Sequence, residues 1–135
     1  MTEQVILLVE DDENDVLLLK RALVNACVAN PLRVVRNGDE AVAYLSGAGT
    51  FGDRSRHPLP WLVLLDLQMP RLSGFDVLEW IRCDSTLKDL PVVVVTGLTD
   101  MSAARKAYGL GAHSVWLKPV EHDALAQMIR QIREH

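Results

Sequence analysis

Short apolar runs alternate with longer amphipathic stretches along the whole chain. Runs of strand length fall at 5–9, 32–36, 61–65, 92–95 and 114–117. They are rich in Val, Ile and Leu, and Val5-Ile6-Leu7-Leu8-Val9 and Val92-Val93-Val94-Val95 carry no polar break. That is the pattern of strands buried on both faces. The intervening stretches have helical spacing. One helix is predicted over 14–27, capped by Asp12 or Asn14, with Val16, Leu17, Leu19, Leu23 and Val24 as its apolar face. A short one follows the Asn37-Gly38 turn, over 39–45. A third opens at Gly74 and runs to 82, with Val77, Leu78 and Ile81 on one side. A fourth starts at a Thr99 or Asp100 cap, runs to 108 and ends at Gly109. The last, over 121–133, presents Leu125, Met128, Ile129 and Ile132. Strands alternating with helices predict an α/β fold, a doubly wound five-stranded parallel sheet with helices on both faces. The stretch 46–60 is long for a connection inside a compact domain.

Composition narrows the classes. A chain of 135 residues has the length of one domain, and a hydrophobic content of 49% is enough for a buried core. The net charge is −4, and no Lys/Arg cluster forms a basic stripe, which argues against a nucleic-acid partner. No apolar run approaches the ~20 residues that span a bilayer, and no signal peptide opens the chain. A cytoplasmic, single-domain protein of residues 1–135 without an output domain is therefore expected. Cys27 and Cys83 are read as reduced, partly buried thiols on helix faces.

The chemistry lies at the strand ends. Glu10-Asp11-Asp12 follow the first apolar run, Asp66 ends the third, Thr96 ends the fourth, and Lys118 follows the fifth. In a parallel α/β sheet the carboxyl ends of the strands open on the ligand crevice. A carboxylate there is costly unless a cation pairs with it. Acids, a hydroxyl and a lysine at one edge suit a metal and a phosphoryl group. Asp66 is the candidate nucleophile. Asp11 and Asp66 are candidate ligands for Mg²⁺, with Glu10 acting through water and the backbone carbonyl of Gln68 adding an oxygen. Lys118 and the Thr96 hydroxyl are candidate donors to phosphoryl oxygens. Taken singly, each feature has a plainer reading as a capping acid or a turn residue. Their coincidence at successive strand ends is what points to a site.

As an ordered set, these motifs resemble the receiver domain of a two-component response regulator, over essentially the whole chain. The matching pieces are Val9-Glu10-Asp11-Asp12, Leu64-Leu65-Asp66-Leu67-Gln68-Met69-Pro70 with Gly74, Val95-Thr96-Gly97, and Gly111-Ala112 followed by Lys118-Pro119. The resemblance implies the flavodoxin-like strand order 2-1-3-4-5. It implies Asp66 as phosphoacceptor, Glu10 and Asp11 as the acidic metal pair, Thr96 as the switch hydroxyl and Lys118 as the phosphoryl-binding lysine. The donor would be a phosphohistidine on a sensor histidine kinase. The long 46–60 stretch resembles the stand-alone regulators that serve bacterial phytochromes. The output face would be the fourth helix, fifth strand and fifth helix. Met101, Arg105, Tyr108, Trp116 and the 121–133 helix are then candidates for partner contact or homodimerisation.

Some positions depart from the family's pattern. The place of its aromatic switch residue holds Val115, followed by Trp116. Leu98, two positions after Thr96, is expected to limit the hydrolytic water, so Leu98→Glu or Leu98→Asn should shorten the phosphorylated lifetime. Two rival readings differ in class. An aspartyl-phosphate phosphohydrolase normally has a second Asp two residues after its nucleophile; here that residue is Gln68, which cannot shuttle a proton. A degenerate receiver would bind partners without phosphorylation, against which the full acid, Thr and Lys set argues. Gly47-Ala48-Gly49-Thr50-Phe51-Gly52 matches a dinucleotide-binding expression but follows a helix, not a strand. Arg54, Arg56 and His57 are read as a solvated loop, and Trp61, Trp80 and Trp116 as packing residues.

Overall fold

A computed structural model describes residues 4–69, 72–97 and 101–133. The chain runs β1 (Ile6–Val9), α1 (Glu13–Asn25), β2 (Leu32–Val35), α2 (Gly38–Ser46), a 3₁₀ turn (Gly49–Gly52), β3 (Leu62–Leu65), α3 (Gly74–Cys83), β4 (Val92–Thr96), α4 (Met101–Gly109), β5 (Ser114–Leu117) and α5 (His122–Arg133). The strands form one parallel sheet in the order β2-β1-β3-β4-β5. The predicted fold class and strand order are both present.

Strand periodicity divides the core. Leu7, Val9, Val63, Leu65, Val92 and Val94 face α2, α3 and α4, while Ile6, Leu8, Leu62, Leu64, Val93 and Val95 face α1 and α5. Both faces are covered, so the central strands β1, β3 and β4 are buried along their whole length.

The helix ends follow local chemistry. Asp12 caps α1, accepting the backbone N–H groups of Asn14 and Asp15 at 2.8 and 3.2 Å. The buried face of α1 is Val16, Leu19, Ala22 and Leu23; Leu17 and Val24 point outward, at 49% and 72% exposure. Ser73 and Asp76 form a reciprocal capping box on α3. The fourth helix closes at Gly111 rather than Gly109. Gly111 has φ 102°, its N–H donates to the Tyr108 carbonyl, and the Ala112 N–H donates to the Ala107 carbonyl. The expected caps Thr99 and Asp100 lie outside the described residues.

In the long connection Arg56 is solvated as expected, at 83% side-chain exposure, but Arg54 and His57 are not. Arg54 is half-buried and donates to the carbonyls of Tyr44 and Leu45, at 2.7 and 2.8 Å, and of His57 at 3.2 Å. It thereby satisfies carbonyls that the end of α2 leaves without helical partners. The rings of Tyr44, Phe51 and His57 pack together, with centroids 5.1 to 6.0 Å apart, and the Tyr44 hydroxyl donates to the Pro58 carbonyl. Gly47, in the left-handed conformation, ends α2, so the glycine pattern there is a helix stop. Both cysteines are exposed, contrary to the expected partial burial; Cys27 lies beyond α1 at φ 59°. Trp61, Trp80 and Trp116 are half-buried packing residues, as expected.

Candidate functional site

Parallel pairing brings the strand ends level. Val9 pairs with Leu65, Leu65 with Val94, and Thr96 with Leu117. The next residues along β1, β3 and β5 are Glu10, Asp66 and Lys118, and Thr96 closes β4 beside them. The Lys118 backbone is tied to this edge by its N–H, which donates to the Thr96 carbonyl at 2.9 Å. Glu10, Asp66 and Thr96 are buried, at 3%, 5% and 1% exposure, in a sheet edge otherwise made of valine and leucine.

The side chains converge on one ammonium. Lys118 Nζ lies 2.5 Å from Glu10 Oε1, 2.8 Å from Asp15 Oδ2 and 3.4 Å from Asp66 Oδ2. Glu10 Oε2 accepts the N–H groups of Asp11 and Asp12 at 3.1 and 3.4 Å. Asp66 Oδ1 accepts the Gln68 N–H at 3.2 Å, while the Gln68 residue itself is exposed. A cleft of about 410 Å³ opens here, between Leu18, Leu19 and Ala22 of α1 and the connection from Pro119 to His122.

Two buried acids and one lysine leave negative charge in excess. Burial, followed by a hydrogen bond and charge repulsion from Asp66, outweighs Lys118 and raises the Glu10 carboxyl from its ordinary 4.5 to about 7. Burial acts to lower the Lys118 ammonium. Its hydrogen bonds to Asp15 and Glu10, with the charges of Asp66 and Glu10, overcome that and hold it above its ordinary value. Oxygens of Glu10, Asp11 and Asp66 lie within 4.8 Å of one another. Asp11 is exposed, so the cluster has an open side. Hard carboxylate oxygens with an excess of negative charge fit a hard divalent cation.

This raised carboxyl has a measurable consequence. A cation that engaged Glu10 would have to displace its proton. The apparent affinity for Mg²⁺ should therefore rise by about tenfold per pH unit up to about pH 7, then level off. Calorimetric titration at pH 5.5, 6.5, 7.5 and 8.5 checks this; a flat profile would contradict the Glu10 assignment. For the cation-free fold the sign is reversed. A folded-state value above the ordinary one makes the Glu10 contribution fully present below about pH 4.5 and lost as pH rises through about 7.

The structure thus brings together Glu10, Asp11, Asp66 and Lys118, and sets Thr96 on the adjoining strand. Pro70 and Leu98 lie outside the described residues. Asp15 is a member that sequence reasoning missed. An acid in the first turn of a helix is an ordinary partner of the helix dipole, so its position alone carries no sign of a site. On the expected output face, Met101, Arg105 and Tyr108 are exposed, whereas Trp116 packs against the α1–α5 side of the core. The Val115 N–H donates to the Tyr108 hydroxyl at 3.1 Å, joining β5 to α4.

A doubly wound sheet with acids and a lysine at its carboxyl edge defines a class of phosphoryl-binding α/β domains. The chain belongs to the response regulator receiver domain family, which matches residues 6–130. It is 34% identical to the probable methanogenesis regulatory protein FilR2 of Methanothrix harundinacea, over 97% of this chain and 82% of that one. Among solved structures, the phosphorylated cyanobacterial phytochrome response regulator RcpA superposes with a TM-score of 0.81 at 34% identity, covering 98% of this chain and 93% of that one. The Mn²⁺-bound form of response regulator Rcp1 superposes with a TM-score of 0.78 at 32% identity, covering 96% and 91%. The resemblance to phytochrome-associated regulators is therefore present in structure as well as in sequence. Among the described residues, no helix is long and apolar enough to cross a membrane.

Proposed function

We propose that Asp66 accepts a phosphoryl group from a phosphohistidine of a sensor histidine kinase, with Mg²⁺ held by Glu10, Asp11, Asp66 and the backbone carbonyl of Gln68. The observation that carries this reading is the meeting of buried Glu10 and Asp66 with Lys118 at the carboxyl edge of the sheet. An Asp66 oxygen bonds to phosphorus as the donor's N–P bond breaks. The electron pair leaves on the imidazole nitrogen, which takes up a proton. Bound Mg²⁺ supplies positive charge to the carboxylate and phosphoryl oxygens. Lys118, 3.4 Å from Asp66 Oδ2, neutralises one phosphoryl oxygen, and the Thr96 hydroxyl donates to another. The protein assists its own phosphorylation and acts as a switch in the cytoplasm, not as a metabolic enzyme.

Similarity to the phytochrome response regulator RcpA and the bacteriophytochrome response regulator AtBRR favours a bacterial phytochrome kinase as the donor. The cleft beside α1, with exposed Leu18 on its wall, leads from solvent to Asp66 and leaves the donor room to approach it. Movement of Thr96 toward the phosphoryl group biases the segment after β4, and the output is read on α4, β5 and α5. Met101, Tyr108 and Leu117, at 68%, 52% and 55% exposure, make that face suitable for a homodimer. Sedimentation velocity should show a larger species after phosphorylation; a monomer in both states would remove dimerisation as the output.

Intact-protein mass after incubation with acetyl phosphate and Mg²⁺ tests the phosphoacceptor. Wild-type protein should gain one phosphoryl group, Asp66→Asn none, and EDTA should block the gain. Absence of any gain, without phosphate release, would leave a phosphorylation-independent binding module.

A further inference from the structure

An ammonium has three protons to donate, and three carboxylates surround that of Lys118. Glu10 and Asp66 belong to the acidic cluster that suits a cation; Asp15 does not. Asp15 reaches Lys118 from a different element, across 103 residues of sequence. Its backbone is fixed where Asp12 caps α1 and accepts the Asp15 N–H. The Lys118 backbone is fixed by its bond to the Thr96 carbonyl. The Asp15–Lys118 pair therefore joins two well-anchored points at the mouth of the cleft.

A divalent cation at the cluster would compete with Lys118 for Glu10. The ammonium's other two partners are Asp66, at the longer distance of 3.4 Å, and Asp15 at 2.8 Å. We propose that Asp15 is a positioning residue for Lys118, keeping the ammonium beside Asp66 while Glu10 serves the cation. The inference rests on Lys118 being the phosphoryl-binding cation. The side chains of Asp15 and Lys118 keep 31% and 19% exposure, so solvent screens the pair in part. Its effect falls on the lysine's position. The lysine is then held within reach of the arriving phosphoryl group instead of searching for it, a gain in orientation paired with a small loss of freedom.

Two measurements decide it. The first is ¹⁵N relaxation of the Lys118 ammonium in cation-free protein. Glu10→Gln stands in for a Glu10 that no longer offers its charge. The ammonium should remain ordered in Glu10→Gln and become mobile in Glu10→Gln/Asp15→Asn. Equal order in both variants, or mobility already in Glu10→Gln, would overturn the proposal. The second is the rate of phosphorylation by acetyl phosphate with Mg²⁺. Asp15→Asn should slow it by roughly three- to tenfold, as expected for a loosened positioning group, and Asp15→Glu should restore most of it. An unchanged rate in Asp15→Asn, or equal slowing in both variants, would overturn the proposal. If wild-type protein takes no phosphoryl group, the phosphoacceptor reading fails, while the relaxation measurement still decides the role of Asp15.

Discussion

Lys118→Met should slow phosphorylation of Asp66 by roughly 10²- to 10³-fold, about 3–4 kcal/mol of transition-state stabilisation. The ammonium is the cation that the structure sets against the acids, 2.5 Å from Glu10 and 3.4 Å from Asp66. Charge spreads over the phosphoryl oxygens during transfer, and a fixed ammonium in a largely buried site meets it without reorganising. Methionine keeps much of the side chain's length and apolar stem, so the loss falls on the charge. A second effect runs the other way. Lys118 competes with a cation for Glu10, so its removal should tighten Mg²⁺ binding. Slower phosphorylation together with tighter Mg²⁺ binding separates lost charge from general damage, which would weaken both. The rate is read by intact mass against time, and the affinity by calorimetry. A rate within threefold of wild type would show that Lys118 does not stabilise the transferring group.

Gly74→Ala should destabilise the fold and slow phosphorylation together. A Cβ at Gly74 would lie 2.2 Å from the Asp66 carbonyl oxygen and 2.7 Å from Leu67 Cα. Both neighbours are backbone and cannot turn aside. Gly74 opens α3, and its N–H donates to the Leu67 carbonyl at 3.3 Å, so this close approach is what seats the helix against the turn after β3. Relief requires α3 to withdraw or the turn to shift, and the turn carries Asp66. Overpacking of this kind costs about 3 kcal/mol. A displacement of the nucleophile by ~1 Å would also cost up to ~10²-fold in rate. Urea denaturation and the acetyl phosphate rate test the two parts. Gly109→Ala is the control, because a Cβ there meets nothing within 4 Å and it lies within α4. Near-wild-type stability and rate in Gly74→Ala would mean that the helix seat has slack.

Much of the architecture can be read from local pattern. β5 falls at the predicted 114–117, and the other strands lie within the predicted runs or extend them by a residue. The reason is that a strand buried on both faces must be apolar at every position, and a polar residue ends it visibly. The same rule exposes Glu10, Asp66 and Thr96, since each stands directly beside such a run, and Lys118 follows the shorter, partly buried run 114–117. Helix ends were less legible. Of the two caps expected for α1, Asp12 takes the role, while Gly111 and not Gly109 closes α4, because the choice among neighbouring candidates depends on backbone geometry.

The residues that escaped reading share one physical feature: tertiary packing decides their surroundings, and local periodicity does not indicate it. Arg54 looks like a loop cation, but its guanidinium closes the end of α2 and packs a connection that charge content would leave in water. Leu17 and Val24 suit a helix face by type but point to solvent, since the α1 contact with the sheet selects Val16, Leu19, Ala22 and Leu23.

The sequence by itself determined the class of fold, the edge at which the site forms and the residue types that populate it. These follow from apolar periodicity and from where it is interrupted, which are properties of adjacent residues. Only the tertiary structure decided which carboxylates share the lysine. Asp15 and Lys118 are 103 residues apart, and their 2.8 Å contact exists because the parallel sheet and the capped start of α1 bring two chain segments to one point. The raised Glu10 carboxyl has the same origin, since burial and a facing carboxylate are created only when β1 and β3 lie side by side.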